Sequence, residues 1–243
     1  MSIATVDYEM PRQAVILVHG LWMGGWVMQG LRLRLARRGY AAELFAYPSM
    51  AQSLDEHARR LAACISQLRE PVIHLVGHSL GGLVILRCLR NHGEQRIGRI
   101  VLMGTPVRAC MAGGRMDGLA GGKHLLGASR EIWRNLPEAF RPGCEVGVLA
   151  GSRAWGLGRM LIRLPGTNDG VVRLEETEVA GMRDRIVLPI SHSGMLVSAR
   201  AARAVADFLE RGAFDHGDRG AFDHGDRGAF DHEDRAAIED PSP

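Results

Sequence analysis

Six short runs, nearly continuous in apolarity and rich in β-branched residues, recur along the first two hundred positions and restrict the fold more than any other feature of the chain. They are AVILV (14–18), AELFAY (42–47), VIHLV (72–76), RIVLM (99–103), EVGVLA (145–150) and RIVLP (185–189). Apolarity without strict alternation suits strands buried on both faces. Between them lie stretches 26–39, 53–70 and 80–93, where leucine, valine or alanine recurs every three to four residues and the pattern stops near glycine, proline or a basic residue. Strand and helix in alternation imply βαβ crossovers, a mainly parallel sheet and helices on both faces. In open sheets of that kind, sites form beyond the carboxyl ends of the strands.

The size of the chain, 243 residues, suits one such domain. No apolar run approaches the roughly eighteen residues of a membrane span. The opening MSIATVDYEMPRQ has neither the basic nor the apolar region of a secretory signal, so a cytoplasmic location is expected. Cys64, Cys88, Cys110 and Cys144 are too widely spaced for a zinc motif and read as buried thiols, although Cys110 and Cys144 could pair in an oxidising compartment. The net charge of +3 hides nine acidic residues and three arginines in 212–243, so the preceding chain is distinctly basic. Lys123 is the only lysine and no arginine cluster interleaves with aromatics, which speaks against a nucleic-acid surface.

The C-terminus is a repeat: GAFDHGDR at 212–219 and 220–227, then GAFDHEDR at 228–235. An eight-residue period is too short for a solenoid unit, and glycine with charge around one phenylalanine per copy suggests a disordered acidic tail. His216, His224 and His232 could be metal ligands, but the glycines leave them unfixed. A domain over 1–211 and a tail over 212–243 are therefore expected.

The candidate chemistry begins at Gly77-His78-Ser79-Leu80-Gly81, a G-x-S-x-G match between a strand and a helix, which is the setting of a nucleophile elbow. Such a serine needs a base and an acid to orient the base. Asp169 in PGTNDGVV and His192 in PISHSGML follow in that order, each just beyond an expected strand. Glu175, Glu176 and Asp117 are the reserve acids. VHGLWMGGW (18–26) follows the first strand, and there the Leu21 amide can face the Leu80 amide across an oxyanion. His19 reads as a residue that fixes this loop.

VHG, GHSLGG, MGTP, NDG and SHSG, in this order and spacing, resemble the α/β-hydrolase superfamily, in particular its bacterial serine lipase and carboxylesterase branch, with GPI-inositol-deacylase-like lipases among the relatives. The resemblance spans about residues 12–210. It implies an α/β-hydrolase fold, a Ser79, Asp169 and His192 triad, no cofactor, no metal, and esterase or lipase activity on a small-molecule ester. The chain starts at the oxyanion strand, so a reduced, mainly parallel six-strand sheet is expected.

An insertion at 107–142 and a second at 152–164 lie above the expected site. They could form a small cap with an inner face of Leu125, Leu126, Trp133, Leu136, Trp155 and Met160, selecting an apolar acyl chain and touching lipid surfaces; alternatively, these residues complete the core. A thioesterase or acyltransferase would use the same triad. A catalytically silent scaffold that binds a hydrophobic ligand or a protein is the other class, and its signature would be a broken triad.

Overall fold

The computed structural model describes residues 13–108, 110–119, 121–134, 143–155 and 164–217. Six parallel strands form one sheet: β1 (Ala14–Val18), β2 (Ala41–Phe45), β3 (Ile73–His78), β4 (Ile97–Met103), β5 (Glu145–Gly151) and β6 (Asp184–Leu188), in the order β2-β1-β3-β4-β5-β6. The six-strand sheet expected from the apolar runs is borne out, and β1 and β3 are buried along their whole lengths. The chain moves from β1 outward to β2, then returns to pair β3 with the other edge of β1. In sheets of this kind a site forms where the order reverses, here at the carboxyl ends of β1 and β3.

Helices cover both faces. On one lie α2 (Leu54–Gln67) and α3 (Leu80–His92), packed on each other. The buried residues of α2 are Leu54, His57, Ala58, Leu61 and Ile65, one stripe at helical spacing, and the Ser53 hydroxyl caps its start by accepting the Glu56 N–H at 3.2 Å. The other face carries α1 (Gln29–Ala36) and, near the C-terminus, α7 (Gly194–Val197) and α8 (Ala199–Arg211). The expected helix at 26–39 is shorter than its periodicity suggests: Gly25–Met28 form a 3-10 turn, and only Leu31 and Leu35 of α1 are buried.

The inserted segment after β4 contains α4 (Met111–Asp117), α5 (Gly122–Leu126) and α6 (Arg130–Arg134). Leu126 and Ile132 are buried, and Ile132 joins the core cluster beneath α2 and α3, so part of the insertion completes the core. The other residues expected on a cap face differ. Trp155 is 75% exposed instead of facing inward. Leu136 and Met160 lie outside the described residues, as do the side chains of Leu125 and Trp133. All four cysteines are free thiols, and burial pushes Cys88 and Cys110 up to about 12. No helix among the described residues is long and apolar enough to cross a membrane.

The described chain continues past Arg211, where the tail was expected to begin, to Gly217. Phe214 is buried against Phe208, with ring centroids 4.9 Å apart. Residues 218–243, the remainder of the expected tail, lie outside the described residues.

One close approach fixes how α3 meets the sheet. A Cβ on Gly81 would stand 2.2 Å from the Val18 carbonyl oxygen and 2.6 Å from that of His19, so only glycine lets the first turn of α3 lie against the end of β1. Gly81→Ala is expected to lower the unfolding free energy by about 3 kcal/mol. Urea unfolding of the purified variant checks this, and an unchanged midpoint would contradict it.

Buried histidines add a pH limit. Burial, with help from Arg60, lowers His57 to about 4. His74 is lowered to about 4 by burial and by Arg99; its Nδ1 accepts the Arg99 N–H at 2.9 Å and therefore must stay unprotonated. An unfolded histidine takes up its proton near pH 6.5, whereas these two refuse theirs until about pH 4. The unfolded state thus holds more protons between those values. Stability is full above about pH 6.5 and declines as pH falls toward 4. Urea midpoints at pH 7.5 and 4.5 should differ accordingly, and His57→Leu should reduce the difference.

Candidate active site

The elbow is a strand that ends one residue before a helix begins. Ser79 sits between β3 and α3 with φ 53 and ψ −122, a backbone conformation rare outside glycine that costs about 1–3 kcal/mol. Two hydrogen bonds hold it there. The Ser79 N–H donates to the Met103 carbonyl of β4 at 2.9 Å, and the Gly82 N–H donates to the Ser79 carbonyl at 3.0 Å. Leu80 is the first residue of α3, so its N–H has no acceptor within the helix.

The loop after β1 closes over this elbow. A Cβ on Gly20 would be 3.1 Å from the Ser79 Cβ, which brings the backbone leading into Leu21 against the serine. His19 holds the loop: its Nδ1–H donates to the Gly20 carbonyl at 2.9 Å, and its Nε2 accepts the Tyr47 N–H at 3.3 Å. The Tyr47 hydroxyl donates to the His19 carbonyl at 2.8 Å, and the two rings stack with centroids 4.4 Å apart. Burial lowers the His19 pKa, in keeping with a neutral ring whose two nitrogens are both committed.

Asp169 and His192 come from loops that follow β5 and β6, and they meet directly. The His192 Nδ1–H donates to Asp169 Oδ2 at 2.7 Å, and the His192 N–H donates to the Asp169 carbonyl at 2.9 Å. The other carboxylate oxygen, Oδ1, accepts the Val171 and Val172 N–H groups at 2.9 and 2.7 Å. Burial alone would raise the Asp169 pKa, but the His192 imidazole and these two backbone donors more than offset it, and the carboxyl lies below its ordinary value. Asp169 is therefore an anion at neutral pH, and it fixes the tautomer in which Nε2 of His192 carries the free lone pair.

The end of β4 connects this pair to the elbow. Met103 accepts from Ser79, and at the next residue, Gly104, a Cβ would lie 3.0 Å from His192 Nδ1 and 3.1 Å from Asp169 Oδ2. Gly104 also has a φ of +55. The three residues named from the sequence thus gather at one edge of the sheet. The reserve acids are engaged elsewhere: Asp117 pairs with Arg130, and Glu175 pairs with Arg173. Glu176 is buried, and its Oε1 and Oε2 accept the Met111 and Arg173 N–H groups, each at 2.9 Å.

Sequence reasoning missed three supports. The Nε2–H of His78 donates to the His192 carbonyl at 3.1 Å, with the two rings 4.6 Å apart; burial, followed by the neighbouring His192, lowers its pKa to about 3. Asn168 shapes the acid loop by accepting the Gly170 N–H at 3.0 Å and donating to the Gly166 carbonyl at 2.8 Å. Glu176 ties that loop to the start of α4. An asparagine before aspartate and glycine is a legible turn signal; the partners of His78 and Glu176 are too distant in sequence to be read from it.

Residues 15–156 match the model of the alpha/beta hydrolase family. The carbendazim hydrolyzing esterase of Nocardioides sp. (strain SG-4G) is 32% identical over 79 residues, a stretch that covers 29% of this chain and 33% of that protein's own length. Among solved structures, the mature lipase BlEst2 of Bacillus licheniformis superposes with a TM-score of 0.64 at 17% identity, over 86% of this chain and 95% of the other. The metagenomic carboxyl esterase MGS0156 gives 0.65 at 16% identity, over 83% and 76% respectively. At such identities the superpositions speak for the fold. The chain belongs to the alpha/beta hydrolase family.

Proposed function

We propose that the protein is a serine hydrolase that cleaves carboxylic esters through an acyl-enzyme intermediate on Ser79. One observation carries the reading: a buried His192–Asp169 pair at 2.7 Å stands beside a serine held in strained elbow geometry. The relatives named above include an esterase, a lipase and a carboxyl esterase, which supports the same class.

In this mechanism the Ser79 Oγ attacks the ester carbonyl carbon while Nε2 of His192 takes the hydroxyl proton. Asp169 keeps the ring oriented and stabilises the imidazolium. The carbonyl oxygen becomes an oxyanion that receives the Leu21 and Leu80 N–H groups. The imidazolium then returns its proton to the departing alkoxide, so the alcohol leaves and the acyl group stays on Ser79. Water, deprotonated by His192, attacks the acyl carbon in the second half, releasing the carboxylic acid and restoring the serine.

Exposed apolar side chains flank the loops that carry the candidate residues. Trp22, in the loop after Leu21, is 52% exposed, and Trp155, whose backbone runs alongside Gly170, is 75% exposed. Trp26 and Val197 are 77% and 73% exposed, on the 3-10 turn and on α7, which touch each other. Exposed tryptophans near the mouth of a site suit an acyl chain or a lipid surface better than a peptide or a sugar. Lipid contact is thus proposed through these rings more than through the insertion at 107–142.

Hydrolysis of p-nitrophenyl esters from acetate to palmitate tests the reading. Ser79→Ala should lose roughly four orders of magnitude or more in kcat while remaining folded, and Asp169→Asn roughly the same by favouring the wrong tautomer. Trp155→Ala should raise KM for long chains and leave acetate unaffected. A wild type that stays folded yet inert with every ester would sink the proposal.

A further inference from the structure

The first copy of the C-terminal repeat is seated in a built site far from Ser79, at the amino-terminal edge of the sheet. Asp184, the first residue of β6, accepts the Phe214 N–H at 2.8 Å, and its two oxygens accept the Nε2–H of His216 at 3.1 and 3.2 Å. The Phe214 ring lies on Phe208, which in turn lies flat over β5, where a Cβ on Gly147 would stand 2.7 Å from it. Arg183 donates to the Gly212 carbonyl at 3.3 Å and pairs with Glu145 at 3.0 Å. Arg99 pairs with Glu145 at 2.7 Å and donates to the Leu209 carbonyl at 2.8 Å.

Gly212, with φ +71, ends α8 as its C-cap, its N–H donating to the Phe208 carbonyl at 2.8 Å, and it stays with the helix. Beyond it the site makes two demands. Two residues later it takes a phenyl ring and a backbone N–H. Two further on it takes an imidazole. The second copy supplies both at the same spacing, as Phe222 and His224. The third copy has Glu233 where the first has Gly217, a position with φ +64, and fits less well.

We propose that the cleft formed by Asp184 and Phe208, beside Arg183, is a receptor for the motif Phe-Asp-His, in which the second copy, 222–224, exchanges with the first. Replacing copy one by copy two loops out eight residues, and the entropy of closing such a loop grows only slowly with its length. The tethered second copy is also present at high effective concentration. An open groove of about 1000 Å³, lined by Ile97, Gly98, Cys144 and Ala213 among others, adjoins the docked copy and gives the displaced segment a path outward.

The experiment compares thermal midpoints of full-length chains: wild type, Phe214→Ala, Phe214→Ala/Phe222→Ala, and the triple variant that adds Phe230→Ala. Exchange predicts that Phe214→Ala falls clearly less than the double variant, because copy two takes its place at the entropic cost of the looped-out segment. The double variant should fall by roughly a further 5 °C or more, since no well-fitting ring remains, with the triple variant at or below it. If Phe214→Ala alone falls as far as the double variant, the site is specific to copy one and the proposal is overturned. Equal midpoints for all four chains overturn it too, since docking would then contribute nothing. Should the triple variant fail to fold, the single and double variants still decide. None of these outcomes depends on ester cleavage.

Discussion

The close approach of α3 to the end of β1 is the constraint on which the rest of the molecule depends. With only a hydrogen on Gly81, the helix enters directly over the Val18 and His19 carbonyls, and Ser79, the residue before the helix, takes a strained φ of 53. Ser79 absorbs that strain, and the β3–β4 pairing holds it through the Met103 carbonyl. The loop after β1 leans on the same junction through Gly20, and the His192–Asp169 pair abuts it through Gly104. Four segments distant in sequence therefore share one small volume because Gly20, Gly81 and Gly104 carry no side chains.

Electrostatics in that volume follow from burial. Asp169 is nearly dry, yet it stays charged because its two oxygens face a ring N–H and two backbone N–H groups. The neighbouring histidines go the other way. His19 and His78 are held neutral by burial, and each has a ring N–H directed at a backbone carbonyl. No second cation then competes with an imidazolium on His192. The same lack of solvent that keeps His78 neutral turns it into a peg under the His192 loop.

Much of this was legible in the sequence. Parallel strands covered on both faces leave unbroken apolar runs, and all six strands fall on such runs with ends shifted by only a few residues. Ser79, Asp169 and His192 could be named because elbow chemistry restricts both residue type and chain order. What stayed hidden depends on long-range placement. The stretch at 26–39 keeps its periodicity, but its first residues wind as the 3-10 turn Gly25–Met28, so the α-helix covers only Gln29–Ala36. Trp155 counts as apolar in any sequence pattern, and only the position of the acid loop leaves it facing outward. Phe214 looks like one member of a polar repeat until Phe208 and Asp184 provide a bed for it.

Glu176 carries a mechanical consequence. Its carboxylate bonds the first N–H of α4 and the backbone after the acid loop, and its carbonyl accepts the Val107 and Arg108 N–H groups. The insertion is thus riveted at its root to the segment that carries Asp169. Whatever pivoting the insertion undergoes has its fulcrum beyond Met111, and a load on its root is borne by a buried carboxylate before it reaches the His192–Asp169 pair.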